Sequence, residues 1–454
     1  MKKKGINLGE GKVSSLLFKL ALPAIIAQLV NVLYNIVDRI FIGRIPNGEI
    51  AMAGVGVAFP IIMIVSAFSA LIGMGGAPIA AIKMGAKDND EAEKIMSNSF
   101  SMLIIIGAIL TVVFLVFKEP ILYAFGASDK TINYAIDYLT LYLIGTVFVQ
   151  IALGMNPFVN TQGFAKTGML TVMIGAVINI VLDPIFIFIF NMGVKGAALA
   201  TVCGQLVSAL WVLKFLFGKT SVLKIRKKYL VPKLNVILPV IALGVSPFIM
   251  QGTESLVIII MNNQLSIYGG DLAIGAMTIM SSIMQIVMLP LMGLSQGAQP
   301  IISYNYGAKK IDRITSTFKL LLISCLVYTG IMWALLMIIP KIFVLIFNSN
   351  PDLVEITAWS IKIYFAGVIM FGAQIACQQT FLALGQAKTS LILALLRKII
   401  LLIPLAFILP NFFEEGLKGV LMAEPVADIL SATITVICFI IFYKKKLNID
   451  EALN

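Results

Sequence analysis

The 454-residue chain contains no histidine. That excludes imidazole metal ligands, histidine general bases and histidine proton relays together. Charge is scarce as well: 12% of residues are Asp, Glu, Lys or Arg, about half the fraction usual in a soluble domain. The four cysteines, Cys203, Cys325, Cys377 and Cys438, each lie inside an apolar run. They read as small packing residues and exclude a disulfide framework. Nucleotide chemistry is missing too. Gly218-Lys219-Thr220 ends like a phosphate-binding loop, but Leu213 stands where the upstream glycine is required. With no soluble nucleotide-binding domain in the chain, no ATP drive and no ATPase subunit are expected. Gly73-Met74-Gly75-Gly76 is a small-residue patch for close helix contact. No aspartate-rich pair for Mg²⁺-diphosphate and no potassium-filter strand is present.

What is present is apolar: 59% of the residues are hydrophobic, more than one soluble core can hide. The net charge of +12 is compatible with nucleic acid, but the basic residues sit in short segments between apolar runs, the pattern of membrane topology. The start Met1-Lys2-Lys3-Lys4 imitates a signal peptide, yet the apolar stretch over 14–42 is too long and lacks a cleavage site. It reads as the first span. Twelve spans of bilayer length follow the pattern, at 14–42, 51–82, 96–118, 131–158, 168–190, 196–217, 236–267, 272–302, 317–340, 356–383, 390–410 and 418–443. Pro23, Pro60, Pro184, Pro247 and Pro290 lie inside these runs and mark expected bends. The expected fold is therefore an all-α integral membrane protein with twelve transmembrane helices.

Placing both termini in the cytoplasm puts most lysines and arginines on the inner side of a cytoplasmic membrane. The cluster from Lys219 to Lys233 is the most polar stretch and reads as a cytoplasmic linker, 219–235, between lobes at 1–218 and 236–454. The halves repeat. Met84-Gly85-Ala86-Lys87 returns as Tyr306-Gly307-Ala308-Lys309, and Gly163-Phe164-Ala165-Lys166-Thr167 as Gly385-Gln386-Ala387-Lys388-Thr389. Val194-Lys195-Gly196-Ala197 returns as Leu417-Lys418-Gly419-Val420, and Tyr142 and Gly145 as Tyr364 and Gly367. Several matches in one register indicate a true internal repeat. Six spans per half insert the same way up, so the lobes are expected to be related by a pseudo-two-fold axis along the membrane normal, with a cleft between them. Two lobes rocking about a cleft make an alternating-access carrier.

Each charge at membrane depth needs a reason. Asn179 and Asp183 share one helix face one turn apart, with no basic residue in their helix. Rise per residue places Asp183 in the outer half of its span, at a depth similar to Asp38 and Thr201. These oxygens suit Na⁺ or a shared proton. The plainer alternative is that Asp183 caps a proline-broken helix. Asp38 pairs poorly with Arg39, which faces elsewhere. Asp38 aligns with Asn262 in the repeat and the Asp183 region with an apolar stretch around Leu405, so coupling is expected in the first lobe. Glu424 and Asp428 share a face, with Arg397 and Lys398 as their expected partners in a structural ion pair. Glu254 has no cation in its helix and is a candidate to attract a cationic substrate. Gln28, Asn31, Tyr34, Asn35 and Gln285 are further cleft candidates. The 22 methionines and 28 phenylalanines fit an adaptable binding surface, although most read as lipid-facing packing.

Pro23 and Asp38 before Gly43, the Met84–Lys87 loop, Asn179 with Asp183-Pro184, and the Gly163 and Gly385 loops together resemble the multidrug and toxic compound extrusion (MATE) family, in a bacterial MepA-like branch. The likeness covers nearly the whole chain. It implies a first-lobe cation site of Asp38, Asn179, Asp183 and Thr201. It also implies efflux of amphipathic, often cationic compounds in exchange for Na⁺ or H⁺. Neither an enzyme activity nor a cofactor beyond the transported ion is expected, and the protein is expected to act as a monomer. Some branches pair an acid in span 7 with an aspartate in span 10; here span 10 reads Gly372-Ala373-Gln374, so the second half of that pair is missing. The runner-up reading is a flippase or exporter of lipid-linked or polysaccharide precursors, which needs a more cationic cleft. A third is a membrane enzyme, whose turnover would need no gradient.

Overall fold

The computed structural model describes residues 5–447. Met1–Lys4, the basic start of the chain, and residues 448–454 of the second lobe lie outside the described residues. Among the described residues there is no strand. Among the described residues ten helices are long and apolar enough to cross a membrane, or twelve when each of two bent pairs counts as one span. They are α1 Val13–Gly43, α2 Gly48–Gly85, α3 Asn89–Ala124, the pair α4 Ile132–Ile144 and α5 Thr146–Thr161, α6 Ala165–Ile189 and α7 Val194–Leu216 in the first lobe. The second lobe holds α8 Leu234–Gly270, α9 Leu272–Gly307, α10 Ile311–Ile338, the pair α11 Pro351–Tyr364 and α12 Val368–Ala383, α13 Ala387–Phe412 and α14 Gly416–Lys446. Helices satisfy their own backbone groups, which lipid requires. Large apolar side chains accordingly lie bare on the outside; Val112 and Val116 of α3 are 62% and 66% exposed. The architecture is the expected one of two six-span lobes.

The sharpest breaks fall elsewhere than the prolines. The chain bends by 59° between α4 and α5 and by 49° between α11 and α12, whereas Pro23, Pro60, Pro247 and Pro290 remain inside continuous helices. Gly145 and Gly367 stand at these bends, in matching positions of the repeat. A Cβ on Gly145 would meet Val202 of α7 at 2.6 Å, and one on Gly367 would meet Pro425 of α14 at 2.9 Å. A side chain would push these elements apart, so glycine is the residue that lets the bend seat against its neighbour.

The repeated Gly85 and Gly307 join the lobes. A Cβ on Gly85 would collide with the Tyr304 carbonyl, and a Cβ on Gly307 with the Ile82 carbonyl. The two helix ends thus cross with their backbones in contact, beside Lys83, Lys87, Lys309 and Lys310. Residues 5–12 lie over the same basic end. The Ile6 N–H donates to the Gly163 carbonyl at 3.2 Å in the first lobe. Asn305 Nδ2 and Lys310 Nζ of the second donate to the Leu8 and Gly9 carbonyls at 2.9 and 2.8 Å.

The polar segment after α7 is no free tether. Gln162 Oε1 accepts from Ser221 Oγ and from the N–H groups of Val222 and Leu223, each at 2.8 Å. Glu93 takes the Arg226 guanidinium at 2.7 Å and the Lys224 N–H at 3.0 Å. Asn98 accepts from the Lys233 N–H at 2.6 Å and donates to the Tyr229 carbonyl at 2.9 Å. All of these anchors belong to the first lobe, so the segment is docked on that lobe up to the start of α8.

Candidate functional site

A cavity of about 650 Å³ lies between the lobes, within the size of ordinary ligand pockets. Its wall draws on α1, α2 and α5 to α7 on one side and on α8, α9 and α11 to α14 on the other. Gln28, Asn31, Tyr34, Glu254 and Gln285 line it. Asn35 does not: its amide is spent on the Asn31 carbonyl one turn back, at 2.6 Å. Eight methionines contribute, among them Met63, Met169, Met250 and Met288, but Phe371 is the one phenylalanine in the described wall. The adaptable lining is therefore thioether and amide, and the phenylalanines lie elsewhere.

Behind the first-lobe wall the helices bring Asp38, Asn179, Asp183 and Thr201 into one buried region. Asp183 is fully buried, Asn179 is 2% exposed and Asp38 7%. The i, i+4 spacing on α6 lets Asn179 Nδ2 donate to Asp183 Oδ1 at 3.3 Å and, across to α7, to Thr201 Oγ1 at 3.2 Å. Asp38 on α1 lies within electrostatic reach of Asp183. Three buried oxygens here have no hydrogen-bond donor among the described residues: Asp38 Oδ1, Asn179 Oδ1 and Asp183 Oδ2. An unsatisfied buried acceptor is costly, and a charged one more so. Two carboxylates, an amide oxygen and a hydroxyl form a donor set that fits a small hard cation or a proton. Asn179 and Thr201 also line the cavity, while neither aspartate does. The cavity and the acids thus share two side chains.

Sequence reasoning missed the aromatic side of this region. Tyr138 is 5% and Tyr142 4% exposed, and their rings stack at 6.4 Å between centroids. Tyr138 reaches both Thr201 and the field of Asp38. The i, i+4 tyrosines of α4 were a visible signal, but only Tyr142 stood out, as a repeat match.

In the second lobe Arg397 Nε donates to Asp428 at 2.6 Å and Nη2 to Glu424 at 2.8 Å. The guanidinium lies over Phe371, 4.5 Å from the ring centroid. Lys398 departs from the expected set and forms its ion pair with Glu254 of α8. Arg397 already occupies both acids of α14, which leaves the longer and more flexible ammonium to reach across. Arg39 stacks on Phe59 at 5.4 Å and lies outside the cavity wall. Both cations that do line the cavity are neutralised by carboxylates, so the wall lacks the cationic character a lipid-diphosphate flippase needs. Among the described residues no three His, Cys, Asp or Glu side chains cluster as a metal site.

Comparison with known proteins agrees with this architecture. The family model MatE matches residues 23–185 and 247–408, one stretch in each lobe. The multidrug export protein MepA of Staphylococcus haemolyticus is 27% identical over 444 residues, which is 98% of this chain and 96% of that protein. A crystal structure of a MATE protein in a bent conformation superposes with a TM-score of 0.92 at 22% identity, covering 100% of this chain and 99% of that one. A multidrug resistance MATE family transporter in an outward-facing conformation gives 0.90 at 22% identity, covering 98% and 99%.

Proposed function

The chain belongs to the MatE family, and on that premise we propose that it is a secondary active exporter of amphipathic, often cationic small molecules, driven by inward movement of Na⁺ or H⁺. The observation that carries this reading is the trio of unpartnered buried oxygens on Asp38, Asn179 and Asp183, joined to the cavity through Asn179 and Thr201. An ion entering that group draws the oxygens inward and repositions two residues of the cavity wall. A ligand in the cavity biases the same two residues the other way. Ion and substrate then bind in alternation, which is the requirement for exchange. The name of the staphylococcal relative, a multidrug export protein, supports the direction of transport. Contact of the lobes at the basic end supports a state in which the cavity is closed to the cytoplasm, given both termini inside a cytoplasmic membrane. The docked 219–235 segment moves with the first lobe in this scheme, and one chain contains both halves of the machine.

The test is transport in proteoliposomes without ATP. An imposed Na⁺ gradient or an imposed pH gradient, applied one at a time, is expected to drive uphill movement of a fluorescent cationic dye. Equal dye movement with no gradient, or movement that requires ATP, would remove the proposal.

A further inference from the structure

The second lobe holds a buried group whose charges do not balance. Arg397 bonds Glu424 and Asp428 at once, and the side chains are 11%, 6% and 0% exposed. One guanidinium faces two carboxylates. The neighbouring cation, Lys398, has its ammonium on Glu254 of the adjacent α8. Glu424 Oε2 and Asp428 Oδ2 are buried with no donor among the described residues. An uncompensated negative charge at membrane depth is expensive, and a bound proton removes it most simply. A metal cation is disfavoured there by the adjacent guanidinium.

Place in the fold adds to this. Val194 matches Leu417 in the repeat, so Thr201 of the first-lobe site matches Glu424. Glu424 therefore stands on α14 where Thr201 of the candidate ion site stands on α7, although the Asp183 region is matched by the apolar stretch around Leu405. Lys398 and Arg397 are consecutive in a π-helical turn, Leu396–Leu402, a wide turn that recurs at functional sites. Glu254, Lys398, Arg397 and Glu424 all line the cavity. Glu254 is the accessible member, its side chain 59% exposed against 10% for Lys398. Besides its own-helix neighbour Asp428, Glu424 is faced by Arg397 and Lys398 of α13 and by Tyr364 of α11, with Glu254 of α8 reaching it through Lys398.

Resting on the export reading above, we infer that Lys398 is a swinging counter-charge that exchanges a cationic substrate on Glu254 for a proton on Glu424. In the state seen, Lys398 pairs with Glu254, Arg397 with Asp428, and Glu424 is protonated, so the group is neutral. A substrate cation that takes Glu254 displaces the ammonium. Four flexible carbons let the ammonium turn toward Glu424 Oε2, whose proton leaves through the cavity. Substrate then pairs with Glu254, Lys398 with Glu424 and Arg397 with Asp428. The group is again neutral, and one proton has been released per cation bound. In this role Lys398 is a positioning residue and Glu424 the proton carrier.

Tetraphenylphosphonium is the probe, because it is permanently charged and has no proton of its own to lose. Full-length purified protein carrying Asp38→Asn and Asp183→Asn, which silences the first-lobe acids, is titrated with it in weak buffer with a pH indicator. One proton released per cation bound is expected. Adding Glu424→Gln should abolish the release and weaken binding, since the displaced ammonium of Lys398 then finds no carboxylate, while the glutamine still accepts from Arg397 and keeps the fold. Adding Lys398→Met should also abolish the release and make binding several-fold tighter, because Glu254 no longer has a competing partner. Binding without proton release in the parent, release that survives Glu424→Gln, or weaker binding in Lys398→Met overturns the inference. Failure of the unmutated protein to bind tetraphenylphosphonium overturns the export reading itself.

Discussion

Asp183→Asn is expected to fold, insert and lose gradient-driven dye efflux, leaving everted vesicles indistinguishable from transporter-free controls. Asparagine has the shape of aspartate and still accepts from Asn179 Nδ2 at the 3.3 Å contact, so the packing of α6 survives. What disappears is a charge that faces Asp38 in a region sealed from water. Losing one charge-assisted contact costs about 1.5–3 kcal/mol, which is about 10- to 150-fold in ion affinity. The consequence for transport is larger than for binding. Without an ion in the first-lobe group, nothing in that lobe favours the substrate-free return of the carrier. Asp38→Asn should behave alike. Asp352→Asn, at an exposed acid in the first turn of α11, should transport normally. Dye efflux measured side by side in the three variants checks this; normal efflux by Asp183→Asn would remove the aspartate from the coupling group.

Gly85→Leu should also stop transport, but from the opposite cause. Its Cβ would strike the Tyr304 carbonyl, and backbone cannot give way as a flexible side chain can. Overpacking of this kind costs about 1–3 kcal/mol, and here the cost falls only on the state in which the ends of α2 and α9 cross. The populations then shift by about 5- to 150-fold toward a state open at the basic end. Gly307→Leu should produce the same shift, because its Cβ meets Ile82 in the reciprocal arrangement. Labelling a cysteine introduced at Gln299, in the cavity wall, reports the change: cytoplasmic reagent should reach it faster in both variants. Unchanged labelling would mean that the crossing is not the gate.

Much of this molecule was written in local patterns. Twelve apolar runs and a repeat with a constant offset predict two six-span lobes, because the bilayer fixes helix length and the duplication fixes symmetry. Asn179, Asp183 and Thr201 were legible for the same reason: helix periodicity places the first two on one face, and rise per residue places the third at their depth. The partnership of Lys398 with Glu254 was not legible. Those residues lie on α13 and α8, and no periodicity within one helix reports which neighbour a flexible ammonium will reach. Glu424 and Asp428, four apart on α14, did announce themselves as partners for a common cation. The bends at Gly145 and Gly367 were visible as a repeated glycine, but their meaning lies in the approach of Val202 and Pro425, a contact between helices. Asn35 fits the face of Gln28 and Asn31 by spacing alone, and a backbone carbonyl on its own helix claims its amide instead.

The account stands on ion and substrate binding in alternation through Asn179 and Thr201. Its most direct test is the equilibrium affinity of the purified protein for a fluorescent cationic dye, measured across Na⁺ concentrations at fixed pH and across pH in the absence of Na⁺. The coupling ion should weaken dye binding, the dye should weaken ion binding by the same factor, and Asp183→Asn should flatten the dependence on that ion, leaving only the pH dependence that Glu424 contributes. A dye affinity that stays constant over every Na⁺ concentration and pH would contradict the account.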